Sequence, residues 1–246
     1  MARKKDSSLA KATRWNNNYW LREGEPDKIC VHHMCGKLSS TSCGDYFKRA
    51  GVSSNYGIGY KGDICQYVEE KYGAYAQGTK YWNKRCISIE CANDGKPGYH
   101  VSDATIKACI ELVADICQRH GWERLTFTAD TKGRLIMHKY VANTTCPGPY
   151  LSTKFEYIAK EVNKILDKSI FLPERGYFKK GDKSPQVKKL KEFLKKKGYF
   201  KGKNMNGTYS SAMVKAVKRF EKDYGLTVDG EWGEKCNKQY DRIINK

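Results

Sequence analysis

Three short runs constrain this chain most, because each alternates apolar and polar residues at the two-residue period of a β-strand. In ICVH, Ile29 and Val31 share one face and Cys30 and His32 the other. In CISIEC, Ile87 and Ile89 oppose Ser88 and Glu90, and LIMH pairs Leu135 with Met137 and leaves His138 on the alternate face. Three strands that each carry one polar functional group predict a sheet with a site on it.

Between the second and third runs, VSDATIKACIELVADICQRHG places Ile106, Cys109, Ile110, Val113 and Cys117 at helical spacing. Ser102 suits the N-cap and Gly121 the C′ position, so this helix is expected to cover the apolar face of the sheet. LTFTA (residues 125–129) reads as a further strand. KFEYIAKEVNKILDK reads as a closing amphipathic helix built on Phe155, Ile158, Val162 and Ile165. Alternating strands and helices predict an α/β domain over residues 1–168, with a mixed central sheet flanked by helices.

SIFLPERGYFKKGDKS carries Pro and Gly without periodicity, and residues 169–177 are expected to form a linker. Residues 178–246 predict a small all-α domain, with Val187, Leu190, Phe193 and Leu194 on one helix and Met213, Ala216, Val217 and Phe220 on another. NGTYS at Asn206 and DGEWG at Asp229 form a weak internal repeat, each ahead of a helical segment.

The 246 residues carry a formal net charge of +19, concentrated in lysine-rich stretches such as KKLKEFLKKKGYFKGK. A polyanionic partner is expected. No helix-turn-helix, RNP or finger pattern points to specific nucleic acid, and anionic wall polymers such as teichoic acid are the other candidates. No apolar run reaches the roughly 18 residues of a membrane span, and MARKKDSSLAKATRWNNN lacks the apolar core of a signal peptide. Ten cysteines without an export signal are read as mostly reduced; Cys109 and Cys117 fall on a helix stripe, and the first six are too irregularly spaced for a zinc ribbon.

HKYVANTTCPGP puts His138 eight residues ahead of Cys146, in a loop stiffened by Pro147. The two could close on one metal ion. A catalytic zinc needs three protein ligands and an open fourth position, and His32 is the best third candidate, because His33 points the opposite way if its strand continues. Alternation also sets Glu90 on the same kind of face as His32. His100 and His120 read as ordinary packed residues, His120 suiting a helix C-terminus.

VHHMCG, SSNYGIGYKGDICQYVEE, CISIECAND and HKYVANTTCPGPYL, in this order, resemble the zinc-dependent N-acetylmuramoyl-L-alanine amidases related to phage lysozymes and peptidoglycan recognition proteins. That resemblance implies Zn2+ held by His32, His138 and Cys146, with Glu90 as the catalytic carboxylate. It implies cleavage of the amide between N-acetylmuramic acid and L-alanine of the stem peptide. Many members carry Lys or Arg two residues before the zinc cysteine; here Thr144 stands there, so a Thr144 or Thr145 hydroxyl is expected to steady the oxyanion. Asn55 and Tyr56 lie where relatives place a contact to the reaction centre. The V-x-x-L, A-V-x-x-F and G-L-x-V-D-G pattern of the last segment resembles the three-helix peptidoglycan-binding module of wall hydrolases. Together these imply a phage or prophage endolysin that waits in the host cytoplasm, with bacterial peptidoglycan as partner and no membrane. A non-catalytic muropeptide binder is the alternative, disfavoured because Cys146 is present.

Overall fold

The computed structural model describes residues 6–244, so the basic start of the chain lies outside it. The chain divides into two units, with the boundary between Asp167 and Lys168. The first unit runs β1 (Ala12–Thr13), β2 (Tyr19–Leu21), β3 (Lys28–Met34), α1 (Ser40–Ala50), β4 (Tyr56–Ile58), β5 (Ile64–Gln66) and β6 (Tyr72–Ala74). It continues through α2 (Lys80–Arg85), β7 (Cys86–Ala92), α3 (Asp103–Arg119), β8 (Leu135–Met137), α4 (Gly148–Ser152) and α5 (Phe155–Leu166). The main sheet has the order β1-β5-β4-β7-β3-β8, with β4 and β5 antiparallel and every other pair parallel. β2 and β6 form a separate antiparallel pair.

The predicted mixed sheet is therefore present, but its centre is buried on both faces. β7 is buried throughout, and in β3 only His33 is partly exposed. Alternation in these strands separates two interiors rather than core from solvent. The face of Ile89 and Cys91 meets α3, where the Cys91 thiol lies against Cys109, and α3 packs in turn on α5. On the other face, Cys30, Cys86 and Ile136 form one small apolar cluster and Met34, Ala92, Cys43, Phe47, Cys65 and Tyr67 another. His32, Ser88 and Glu90 lie on that face between the two clusters, and all three are buried.

α3 follows its sequence signals: the Ser102 side chain accepts from Thr105 N, and Gly121 takes a left-handed φ of 68°. On α5, Leu166 is buried where Ile165 was expected. LTFTA is not a strand. Asn163 of α5 both donates to Leu125 O and bonds Leu125 N, each at 2.9 Å, so a side chain takes the place of a ladder partner. One main-chain bond, from Leu135 N to Thr126 O, ties the segment beside β8.

A buried polar knot joins distant parts of this unit. Glu70 accepts two bonds from Arg119, one from His120 at 2.7 Å and one from the Tyr56 hydroxyl at 2.6 Å. Tyr56 in turn accepts from Ser7 N, and Asp6 accepts from Glu70 N.

In the second unit β9 (Tyr177–Phe178) pairs antiparallel with β10 (Trp232–Gly233), and the helices are α6 (Pro185–Lys196), α7 (Ser211–Asp223) and α8 (Glu234–Ile244). The two strand fragments are a small addition to the expected helical module. One residue read as linker also joins its core: Ile170 is buried with Phe178, Val187, Leu190, Phe193, Phe220 and Trp232. The repeated turns explain themselves here, since each drives one aromatic, Tyr209 or Trp232, fully into this core, and the Tyr209 hydroxyl donates to Gly230 O. All ten cysteines are free thiols. No helix among the described residues is long and apolar enough to cross a membrane.

Glu70 yields a pH prediction. Burial alone raises its carboxyl, but bonds from His120 and Arg119 outweigh that and hold it down to about 2, against an ordinary value of 4.5. A carboxyl depressed in the folded state stabilises the fold above its ordinary pKa and loses that stabilisation as pH falls towards the folded value. Replacing Glu70 by Gln is expected to cost about 3 kcal/mol at pH 7. In thermal unfolding, the gap between parent and variant is expected to narrow as pH falls from about 4.5 to about 2.

Candidate metal centre

Three parallel strands end side by side, and the candidate site sits at their carboxyl ends. β3 and β7 pair in register so that His32 lies opposite Glu90. β8 pairs with β3 through Cys30 and Ile136, and the chain then enters a 3-10 turn whose first residue is His138. The ring centroids of His32 and His138 are 4.4 Å apart. Cys146 comes from the following loop, which folds back through a Lys139 N to Cys146 O bond and precedes a cis Pro147.

The ligating atoms of His32, His138 and Cys146 lie within 4.8 Å of one another. His32 Nδ1 stands 3.7 Å from Cys146 Sγ and 4.0 Å from Glu90 Oε1. Zinc bonds of about 2.0 Å to nitrogen and 2.3 Å to sulfur at a tetrahedral angle would separate N and S by roughly 3.5 Å. His138 Nε2 is buried without a hydrogen-bond partner, which is costly for a polar atom unless something else occupies it. This donor set fits a zinc ion, and the orphaned nitrogen is the observation that tests the fit.

The electrostatics suit a cation too. Burial, and then the neighbouring His138 and His33, push His32 well below the ordinary histidine value, and burial lowers His138, so both rings are held neutral, the form that ligates. Burial and then the Glu90 charge push the Cys146 thiol up, while the His33 backbone N–H donates to it. Burial raises the Glu90 carboxyl to about 8. Without a cation the pocket disfavours negative charge on both groups, and a dication would relieve that.

β3 continues through Met34, so His33 does turn to the opposite face. There its Nδ1 lies 3.0 Å from Asn93 Nδ2, and the Gly148 backbone presses on the ring. A Cβ at Gly148 would come within 2.7 Å of that ring, and its φ is 81°, so glycine is required twice over.

Other expected residues are occupied elsewhere. Asn55 is fully buried, donating to the carbonyls of Val68, Glu69 and Tyr72 and accepting from Ser88 N. The Tyr56 hydroxyl belongs to the Glu70 knot. These bonds tie both side chains into the fold. Thr144 Oγ1 accepts from Cys146 N at 3.2 Å, and Thr145 is exposed. His100 packs on Tyr150, and His120 bonds Glu70. Sequence reasoning missed Gln77, fully buried in a loop with no motif, whose amide lies 3.2 Å from His32 Nε2.

Two imidazoles, a thiol and a carboxyl gathered at the ends of three parallel strands define a candidate metal centre of the nitrogen-and-sulfur class. Comparison with known proteins narrows the class. The family model described as N-acetylmuramoyl-L-alanine amidase matches residues 22–149, just over half of the chain, and the chain belongs to that family. A peptidoglycan binding domain model matches residues 183–239. The chain is 27% identical over 224 residues to the N-acetylmuramoyl-L-alanine amidase CwlL of Bacillus licheniformis, covering 79% of this chain and 59% of that one. It thus spans about three fifths of that curated relative's length. Among solved structures it resembles a mutant form of PlyL, with a TM-score of 0.50 and 14% identity over 61% of this chain and 96% of that one. The Ph2119 endolysin from the Thermus scotoductus MAT2119 bacteriophage gives 0.47 and 19% over 61% and 97%.

The purified chain is expected to contain about one zinc per molecule. Metal analysis should find it lost in His32→Ala, His138→Ala and Cys146→Ala and kept in His33→Ala. Loss in His33→Ala with retention in His32→Ala would reverse the ligand assignment.

Proposed function

We propose that the first unit is a zinc-dependent N-acetylmuramoyl-L-alanine amidase, which hydrolyses the amide between the lactyl group of N-acetylmuramic acid and L-alanine of the stem peptide. The observation that carries this reading is the convergence of His32, His138 and Cys146 beside Glu90, with His138 Nε2 buried and unpartnered. A bound zinc supplies Lewis-acid polarisation and an acidified water.

The chain's own residues do the rest. His32 at the end of β3, His138 just past β8 and Cys146 in the following loop would hold the ion. Glu90 handles the proton. Its Oε1 stands 4.0 Å from His32 Nδ1, beside the three candidate ligands, so this one carboxylate can take a proton from water and return it to the leaving amine. Thr144 accepts a bond from Cys146 N and therefore keeps its own hydroxyl proton, which it can donate to a developing oxyanion.

The second unit is proposed to bind peptidoglycan, with its lysines adding attraction to anionic wall polymers such as teichoic acid. The motif order and the wall-directed second unit further support an endolysin, released to the wall after synthesis inside the host.

Digestion of purified walls should release new N-terminal alanine and no new reducing sugar; reducing ends would identify a glycosidase and defeat the proposal. Glu90→Gln is expected to keep zinc and fold while losing about 10²–10⁴-fold in turnover. Near-parent turnover would demote Glu90 to a packing residue. Thr144→Ala should lose less, since solvent or Thr145 can substitute as donor.

A further inference from the structure

His32 raises a question of tautomers. Its Nδ1 is the nitrogen that faces Cys146 Sγ and Glu90, so a metal held by His32 is held through Nδ1. The proton of the neutral ring must then sit on Nε2. His32 is 1% exposed, so that N–H is cut off from water and needs an acceptor within the protein.

Among the described residues, the hydrogen-bond partner of His32 Nε2 is the side-chain amide of Gln77, itself fully buried. The amide presents Nε2, 3.2 Å from His32 Nε2 and 2.6 Å from Ser88 Oγ, while Gln77 Oε1 has no partner. An amide NH2 offers no lone pair, so facing His32 it can only donate. That selects the ring tautomer with its proton on Nδ1, where the metal would bind.

A half-turn of the amide exchanges two atoms of nearly equal size. It puts Oε1 where it accepts from His32 Nε2–H and Ser88 Oγ–H together. One amide atom is left unpaired in either orientation, so it is the demand of His32 that decides between them. The supports of this amide are fixed. Gln77 N donates to Asn83 Oδ1 at 2.7 Å, Ser88 N donates to Asn55 Oδ1 at 3.0 Å, and Ser88 O accepts from Ser54 Oγ at 2.9 Å.

We propose that Gln77 is the positioning residue of His32: its side-chain carbonyl accepts the Nε2 proton and so commits the Nδ1 lone pair to the metal. The proposal rests on the assignment of His32 as a ligand. Gln77 does not touch substrate or the reacting atoms; it acts through the ring, as partners behind ligating histidines do.

Two measurements on the full-length chain test this. Nitrogen-15 NMR of the zinc-loaded protein is expected to show His32 protonated at Nε2 and metal-shifted at Nδ1; a proton on Nδ1 would overturn the proposal. Zinc affinity by chelator competition then compares Gln77→Glu, which keeps an acceptor, with Gln77→Leu, which has none. The Leu variant is expected to bind about 10–100-fold more weakly, and the Glu variant to stay within a few-fold of the parent. Unchanged affinity in the Leu variant, or equal loss in both, would reduce Gln77 to a packing role. Melting of the metal-free forms reads packing separately. If His32→Ala binds zinc like the parent, the ligand assignment fails and the proposal with it. If His32→Ala loses zinc while Gln77→Leu does not, the proposal fails alone.

Discussion

The register between β3 and β7 is the constraint on which the site depends. Parallel pairing sets His32 against Glu90, and the same ladder sets Cys30 against Ser88. A slip by one residue would turn His33 into the site and send His32 towards α3. Ile29, Val31, Ile87 and Ile89 are all fully buried on the opposite face, so the slip would also exchange those apolar side chains for polar ones. The hydrophobic core thus fixes the position of the chemistry. The same burial pushes the His32 ring below and the Glu90 carboxyl above their ordinary values.

Much of this was legible from period and spacing. The three alternating runs became β3, β7 and β8, the long apolar stripe became α3, and the candidate ligands His32, His138 and Cys146 come together. What was illegible rests on side chains that replace backbone partners. LTFTA has the composition and the burial alternation of a strand, yet Asn163 satisfies the Leu125 backbone and no ladder forms. α1 escaped because STSCGDYFKRA has a polar surface and only Cys43 and Phe47 as large buried anchors. Gln77 gives no signal at all, since its role depends on a loop pinned locally by Asn83 lying behind His32, 45 residues earlier in the chain.

The second unit shows how so basic a sequence makes a core. Most of its lysines are on the surface, but Lys191 is 1% exposed and its Nζ donates to the carbonyls of Asn204 and Asn206 and to Asn206 Oδ1. Glu221, equally buried, accepts from Gly230 N. Each buried charge ties a helix to one of the two similar turns, so the charged groups organise loops while Phe193, Phe220, Trp232 and Tyr240 supply the apolar contacts.

The segment at Thr126 has a consequence for how copies of this chain meet. β8 ends the main sheet, and a bare edge of this kind is a template on which another chain can add a strand. Here Leu135 N is already committed to Thr126 O, and Arg134 N to the Thr126 hydroxyl, while Asn163 holds the segment from behind. The failed strand is therefore a guard rail. It engages the backbone donors of Arg134 and Leu135 with the chain's own Thr126, so that stretch of the margin offers neither of them to an added strand.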